Sequence, residues 1–268
     1  MKYTIKEMAD LLAVTTHKLR YYEKIGIIKP EVNEETGYRY FSVIDTRRFN
    51  LARLYRGMGF SVEECLDLLS NHDSKDIISS IQNQRQKLID EVYFKHLCID
   101  EMERYSQFLL DIPGLLNTVK EVELESYIRI EFSDNEKITK DKTVLTIRDH
   151  IVEYAPLVRW VSRIPRSTLE RTSGYLEYHY GVNMSLKNAT MLGLNLNNFE
   201  VVTGGKYLIT VFKKNNDPNF GWETLTLMQS YLKEHGIENY DFGLSSCIHS
   251  TIEDGIMVNY HYLAVKIN

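Results

Sequence analysis

The sequence predicts an α+β protein in three parts: an N-terminal winged helix-turn-helix, a long coiled-coil dimerisation helix and a C-terminal α/β domain with a pseudo-repeated sheet. Three observations support this prediction. Residues 1–72 hold two short helical patterns joined by a tight turn, then a glycine-led aromatic segment. Residues 73–112 hold one long apolar repeat without proline or glycine. Residues 115–268 mix strand-like and helix-like runs.

The helix starts at the N-terminus are marked by capping residues. Thr4 and Glu7 have the spacing of a capping box, in which each side chain satisfies a free backbone N–H group. An apolar stripe with helical spacing follows, formed by Ile5, Met8, Leu11 and Leu12. A second helix is predicted from Thr15 or Thr16 to about Lys24, and Gly26 ends it because glycine adopts the left-handed conformation without strain.

Three segments in this region resemble the DNA-binding module of the MerR family of bacterial transcription regulators. They read LRYYEKIGIIKP at 19–30, GYRYFS at 37–42 and RGMGFSVEE at 56–64. The last contains a further capping-box pair, Ser61 and Glu64. The resemblance covers about the first 70 residues and implies a protein that binds double-stranded promoter DNA.

The resemblance also implies which residues touch DNA. In the second helix, the residues nearest the bases would be Thr16, His17 and Lys18. The phosphates beside them would be held by Arg20, Tyr21 and Tyr22, although one of the two tyrosines is expected to pack inward. The flanking backbone would be gripped by Tyr38, Arg39 and Tyr40 of the wing, and further out by Arg56 and Ser61. Most such contacts position a protein on DNA and do not specify sequence.

The charge distribution agrees with this interpretation. Residues 1–62 contain eleven Lys and Arg against seven Asp and Glu, whereas residues 63–125 contain six against fourteen. The net charge of −5 for the 268 residues therefore hides a basic N-terminal part. Only this part can gain affinity for DNA by releasing counterions.

The long helix, predicted from about residue 74 to 110, carries a heptad repeat. Seven of ten positions with alternating three- and four-residue spacing are apolar: Ile78, Ile81, Leu88, Val92, Ile99, Met102 and Leu109. This pattern is typical of a coiled coil, and the alternative is a long helix packed on its own domain. We expect Pro113 and Gly114 to end the helix. The resemblance implies an antiparallel homodimer that reads a pseudo-palindrome and acts with RNA polymerase.

Residues 115–268 predict two rounds of strand, helix, strand, strand around a central crevice. The strand-like runs are 126–132, 143–149, 174–182, 206–213 and 257–267, and the helical candidates are 155–164 and 221–236. This order is similar to the GyrI-like effector-binding domains of multidrug-sensing MerR regulators. It implies a small amphipathic, possibly cationic, effector.

The candidate ligand-binding residues are Glu177, Tyr178, Trp222, Tyr260 and Tyr262. Glu177 is the candidate counter-charge, since its neighbours include several tyrosines. Cation-binding relatives tend to carry a glutamate on the late strands, but the runs 241–249 and 257–267 contain none. A cationic ligand is therefore in doubt.

Other classes of function are weaker. The three cysteines lack metal-ligand spacing. Metal- and redox-sensing members of the MerR family carry cysteines just after the long helix, but the segment 111–119 has none, so the resemblance implies no metal or cofactor. No motif gives His179 a nucleophile, so no catalytic site is expected. No signal sequence or membrane span is seen, which predicts a cytoplasmic protein. Two alternatives stay open: a repressor that is ligand-independent or controlled by a partner, and, more remotely, a small-molecule hydrolase centred on Glu177.

Overall fold

The computed structural model describes residues 2–135, 137–215 and 221–268. The chain forms two compact units, Met1–Tyr93 and Phe94–Asn268. The helices are α1 (Ile5–Leu12), α2 (Thr16–Ile25), α3 (Val43–Gly57), α4 (Val62–Ser70), α5 (Ser74–Leu115), α6 (Lys142–Ile151), α7 (Arg166–Leu169), α8 (Leu186–Met191) and α9 (Glu223–Glu234). Two short 3-10 helices lie at Val152–Tyr154 and Leu196–Asn198.

The strands form two antiparallel sheets. A two-stranded hairpin, β1 (Glu31–Val32) and β2 (Arg39–Tyr40), belongs to the first unit. The sheet of the second unit comprises β3 (Lys120–Leu124), β4 (Tyr127–Asp134), β5 (Lys137–Ile138), β6 (Val158–Pro165), β7 (His179–Ser185), β8 (Glu200–Val202), β9 (Gly205–Asn215), β10 (Tyr240–Glu253) and β11 (Ile256–Ile267). Its order is β3-β9-β11-β10-β6-β7-β4-β5, and β8 also pairs with β4.

The first unit is a helix-turn-helix with a small apolar core. The predicted capping boxes at Thr4 and Ser61 are formed, and Gly26 ends α2 with φ of +93°. The core contains the inward faces of α1 to α4, among them Met8, Leu19 and Phe49, which are fully buried.

The second unit contains the predicted strand, helix, strand, strand order twice. One round is β4-α6-β6-β7 and the other is β9-α9-β10-β11, with the short α7, α8 and β8 added. The two rounds meet where β6 pairs with β10, and Ser162 lies opposite Ser245 there. The helices α6 and α9 pack on one face of the sheet, and the C-terminal part of α5 packs on the other.

Two of the predicted elements exchange type. Residues 143–149, predicted as a strand, lie in α6, which begins where the Asp141 carboxylate accepts hydrogen bonds from the N–H groups of Thr143 and Val144. Residues 155–164, predicted as a helix, contribute instead to β6. In β6, Val158 and Ile164 face one side of the sheet and Val161 the other, so their three-residue spacing imitates a helical stripe.

The ends of other elements also differ from prediction. The run 174–182 is a strand only from His179, since the preceding residues form a loop. Helix α5 continues through Pro113 to Leu115 because Ile112 and Leu115 are buried in the sheet core, which stabilises its last turn. Strand β10 extends beyond residue 249 to Glu253, so a late strand does end in a glutamate.

Candidate functional site

Helix α2 presents a polar face, and capping interactions at its ends stabilise the helix. Ala13 in the turn adopts the left-handed conformation, and the Thr15 hydroxyl accepts a hydrogen bond from the Lys18 N–H at 3.2 Å. Leu19 is fully buried and fixes the rotation of the helix. The exposed residues on the other side are Thr16, His17, Lys18 and Arg20.

Tyr21 and Tyr22 divide between the surface and the core. The Tyr22 ring lies 4.9 Å from the Phe49 ring, and burial raises the pKa of its hydroxyl. Tyr21 is 45% exposed and contacts Tyr22 edge to face. Tyr22 is therefore the tyrosine that packs inward, and Tyr21 remains on the polar face.

The hairpin is joined to α2 by an ion pair. The Arg39 Nε donates to the Glu23 carboxylate at 2.8 Å. The tip is held by the Asn33 side chain, which accepts from the N–H groups of Glu35 and Thr36, and Gly37 has φ of +69°. Tyr38 at this tip is 67% exposed, and Tyr40 is half-buried.

The segment after the hairpin is anchored by Asp45, which the sequence analysis did not single out. The buried Asp45 carboxylate accepts from the Lys29 N–H at 2.8 Å, and from the Ser42 N–H at 2.8 Å and hydroxyl at 2.7 Å. The capping-box spacing of Ser42 and Asp45 is the signal that could have shown this anchor.

Three arginines of the first unit donate to backbone carbonyls. Arg48 and Arg53 donate to the backbone carbonyls of Ile27, Leu69 and Leu12, so they hold the fold together. Arg56, which is exposed, donates to the Phe60 carbonyl, and Ser61 caps α4 beside it. The turn between α3 and α4 thus presents one guanidinium in a fixed position.

The second unit contains a crevice of about 1130 Å³ between the two rounds of the sheet. Its walls come from the turn after β4, from β5, β6, β7, β10 and β11, and from the loop before β7. The lining residues are Asn135, Lys137, Trp160, Ser162, Gly174, Tyr175, Leu176, Tyr178, Tyr180, Ser245, Ser246, Cys247 and His261. This volume exceeds what a drug-sized ligand needs.

An aromatic stack forms one wall of the crevice. The Trp160 and Tyr180 rings lie 5.7 Å apart and 23° from parallel, as diagonal neighbours on the paired strands β6 and β7. Phe132 contacts both rings edge to face. Trp160 remains 44% exposed, so a flat ligand can reach it.

The loop before β7, which lines the crevice, is held by hydrogen bonds at both ends. The Asn135 amide donates to the Leu176 carbonyl at 2.8 Å and accepts from the Tyr178 N–H at 3.3 Å. The Trp222 indole N–H donates to the Gly174 carbonyl at 3.0 Å. These bonds hold Leu176 and Tyr178 against the crevice.

A buried arginine supports the same wall. Arg129 on β4 is 1% exposed and donates to the His179 carbonyl and the Asn183 side chain, both at 2.8 Å, and to the Glu131 carboxylate. It holds β7 immediately before Tyr180. Sequence reasoning missed Arg129 because an arginine on a strand is normally exposed.

The predicted ligand residues are not all brought together. Tyr178 lines the crevice, and Trp222 supports its loop. Glu177 lies beside the lining residues, with its carboxylate 3.5 Å from His179 Nε2. Tyr260 and Tyr262 lie on the opposite face of the sheet from His261, which lines the crevice.

Both tyrosines have other contacts on that face. The Tyr260 hydroxyl donates to Glu253 at 2.6 Å, and Lys213 pairs with the same carboxylate at 2.9 Å. Tyr262 contacts Phe108 of α5 and, with Tyr105 and Arg159, lines a second cavity of about 240 Å³. Burial raises the pKa of the Tyr262 hydroxyl.

Helix α5 is bonded to the strand that carries Trp160. Arg159, the preceding residue on β6, pairs with Glu101 at 2.6 Å and lies 4.7 Å over the Tyr105 ring. Because successive strand residues face opposite sides, Trp160 lines the crevice while Arg159 reaches α5.

The part of the chain that the structure describes contains no candidate metal-binding cluster. No group of three His, Cys, Asp or Glu side chains lies close enough there to hold an ion. Cys65 is buried, Cys98 half-buried and Cys247 exposed, and none forms a disulfide. No helix among the described residues is long and apolar enough to cross a bilayer.

Comparisons with known proteins add the following findings. A family model described as MerR HTH family regulatory protein matches residues 3–72. The chain is 33% identical over 107 residues to the HTH-type transcriptional regulator HmrR of Rhizobium leguminosarum bv. viciae, covering 40% of this chain and 82% of that protein. It is 25% identical over 178 residues to the HTH-type transcriptional activator mta of Bacillus subtilis (strain 168), covering 65% and 62% respectively. The cryo-EM structure of the EcmrR-DNA complex in EcmrR-RPo is similar over 99% of this chain and all of that chain, with a TM-score of 0.38 and 15% identity.

Proposed function

The chain belongs to the MerR family and is a DNA-binding transcription regulator, and we propose that it is an activator controlled by a small amphipathic ligand. The observation that supports ligand control most directly is the crevice with the exposed Trp160 and Tyr180 stack. The similarity to a transcriptional activator of Bacillus subtilis over 178 residues supports the direction of regulation.

The DNA contact is assigned to α2 and the hairpin, which acts as the wing. Thr16, His17 and Lys18 at the exposed start of α2 would enter the major groove. Phosphates would be held by Arg20, Tyr21, Tyr38 and Arg56, and by Arg39 and Tyr40 beside them. Tyr22 and Ser61 would contribute through their polar atoms, because the Tyr22 ring is part of the core and Ser61 caps α4.

Homodimerisation is assigned to α5. Of the seven apolar positions in its heptad repeat, five are exposed in the single chain: Ile78, Leu88, Val92, Ile99 and Met102. Burying a partner helix on this stripe removes apolar surface from water and sets the distance between the two copies of α2. Residues 73–112 are accordingly the proposed dimerisation segment, between a DNA-binding part at 1–72 and an effector-binding part at 115–268.

The proposed mechanism acts on the promoter spacer. Each excess base pair rotates one promoter element by about 34° relative to the other, since B-DNA turns once in roughly 10.5 base pairs. A dimer that bends and undertwists the spacer realigns both elements for RNA polymerase. The distortion costs on the order of 1–6 kcal/mol, which the difference in ligand affinity between two dimer states must supply.

The effector domain is proposed to be of the GyrI-like type. Its support is the doubled strand, helix, strand, strand order and the crevice where β6 and β10 meet. In this proposal Tyr178 contacts the ligand and Trp222 holds the loop above it. Glu177 adjoins the crevice. Tyr260 and Tyr262 are proposed to transmit ligand occupancy of the crevice to α5, which packs on the opposite face of the sheet.

In vitro transcription with purified bacterial RNA polymerase tests this function. The templates carry the natural promoter and versions whose spacer is shortened base pair by base pair. An activator increases transcript from the overlong spacer and has no such effect on the shortened ones. Reduced transcript on every template would show a repressor instead.

A further inference from the structure

We propose that the effector is a planar aromatic acid, which stacks on Trp160 and places its anionic group beside Lys137. This inference rests on the proposed function, since it names the ligand of the same crevice. It differs from the lipophilic cation that a multidrug sensor would be expected to take.

The shape of the ligand follows from the aromatic wall. Trp160 and Tyr180 already form a nearly parallel stack, and Phe132 closes its lower edge. The outer face of Trp160 is thus a fixed, flat surface that costs little conformational entropy to use. Aromatic pairs in this arrangement gain energy beyond the area they bury, so planar rings are favoured over aliphatic chains.

The charge of the ligand follows from Lys137. Among the lining residues that the structure describes, Lys137 on β5 is the one lysine or arginine. Burial and the nearby Lys214 lower the pKa of His261 on the far wall, which disfavours its charged form. The remaining polar lining groups are hydroxyls, an amide and a thiol, which can bond an anion or a neutral group.

An arginine paired with Asp149 lies behind the aromatic wall. The Arg148 guanidinium is centred 5.6 Å from the Phe132 ring, on the residue that supports the stack. Two carboxylates in the neighbourhood pair with cations: Asp149 with Arg148, and Glu223 with Lys214. Asp134 lies opposite Lys137 in the pairing of β4 with β5, and Glu177 lies beside His179, but neither is among the lining residues. A cationic ligand would therefore meet Lys137 and no carboxylate among the described lining residues.

The test uses two dyes that share the xanthene ring and differ in charge, fluorescein as the anion and rhodamine 6G as the cation. Binding to the full-length protein is followed by fluorescence anisotropy. Fluorescein is expected to bind more tightly, and Trp160→Ala is expected to abolish its binding. Because Lys137 is exposed, Lys137→Gln should weaken fluorescein about three- to fivefold, and Lys137→Glu should invert the preference between the dyes.

Lys142→Gln, a change to an exposed lysine outside the lining, is the matched control and should leave both affinities unchanged. Higher affinity for rhodamine 6G that is lost in Trp160→Ala would overturn the anionic class and leave the crevice as the sensor site. Binding of neither dye, or binding that Trp160→Ala does not alter, would overturn the crevice as the sensor site and this inference with it.

Discussion

At the scale of single residues, the same residue type serves folding at one position and is proposed to contact DNA at another. Arg48 and Arg53 are bonded to backbone carbonyls of the helix-turn-helix, whereas Arg20 is exposed on the polar face of α2. Tyr22 packs on Phe49, but Tyr21 next to it is exposed. Composition alone cannot separate these roles. They depend on the rotation of α2, which the buried Leu19 sets by packing one side of the helix against the core.

Arg20→Ala is therefore expected to weaken binding to every duplex without unfolding the protein. The loss of one phosphate contact should reduce the slope of log affinity against log salt concentration by about one. Binding titrations over a salt series measure both quantities. Lys233→Ala, which removes an exposed charge from α9, is the control, and an Arg20→Ala slope equal to that of the control would remove Arg20 from the interface.

A pH dependence is expected from His72, between α4 and α5. The Asp67 carboxylate accepts a hydrogen bond from His72 Nε2 at 2.6 Å and raises the pKa of His72, and the nearby Asp76 adds to this effect. The folded state thus holds the proton more tightly than the unfolded state. The resulting stability is complete below the unfolded pKa of about 6.5 and is lost as pH rises through the folded value.

The melting temperature should accordingly decrease as pH rises above about 6.5, by more in the natural protein than in His72→Gln. His96→Gln, at an exposed position of α5, should behave like the natural protein. Thermal melts followed by circular dichroism make this comparison. Equal pH dependence in all three proteins would show that the Asp67 contact contributes nothing to stability.

At the scale of elements, local signals predicted the first unit and failed in part of the second. The helices α1, α2 and α4 begin at caps that can be read from neighbouring residues, such as Thr4 with Glu7. Strand β6 has no such local signal, because both sides of the strand pack against apolar cores and its sequence shows no regular alternation of polar and apolar residues. The Trp160 and Tyr180 stack was equally hidden, since pairing of β6 with β7 brings together residues that the loop before His179 separates.

The same strand suggests how ligand occupancy would reach α5, the proposed dimerisation helix. Trp160 lines the crevice, and Arg159 beside it pairs with Glu101 of α5. Arg159→Gln is expected to preserve ligand affinity and DNA affinity but to reduce the ligand-dependent increase in transcription. Isothermal titration and in vitro transcription measure these properties separately.

Arg104→Gln is the matched control, because Arg104 pairs with Glu101 from within α5 and does not connect it to the sheet. An Arg159→Gln protein with a full transcriptional response would show that the signal reaches α5 by another route.

At the scale of the whole molecule, the proposed function requires two copies of the chain. The apolar stripe of α5 is exposed in the monomer, and Val92 is 70% exposed near its middle. Val92→Asp should place a charge in the seam and shift the protein from dimer to monomer in analytical ultracentrifugation. Gln82→Asp, at an exposed position outside the seam, should remain dimeric, and a dimeric Val92→Asp protein would place the interface elsewhere.

The most direct measurement of ligand-controlled activation is in vitro transcription from the overlong promoter with a planar aromatic acid added. The natural protein and Trp160→Ala are compared at concentrations that saturate the DNA. We expect the acid to increase transcript with the natural protein and to have no effect with Trp160→Ala, although both occupy the promoter equally. Transcript that does not respond to the acid, or that responds equally in both proteins, would contradict control through the crevice.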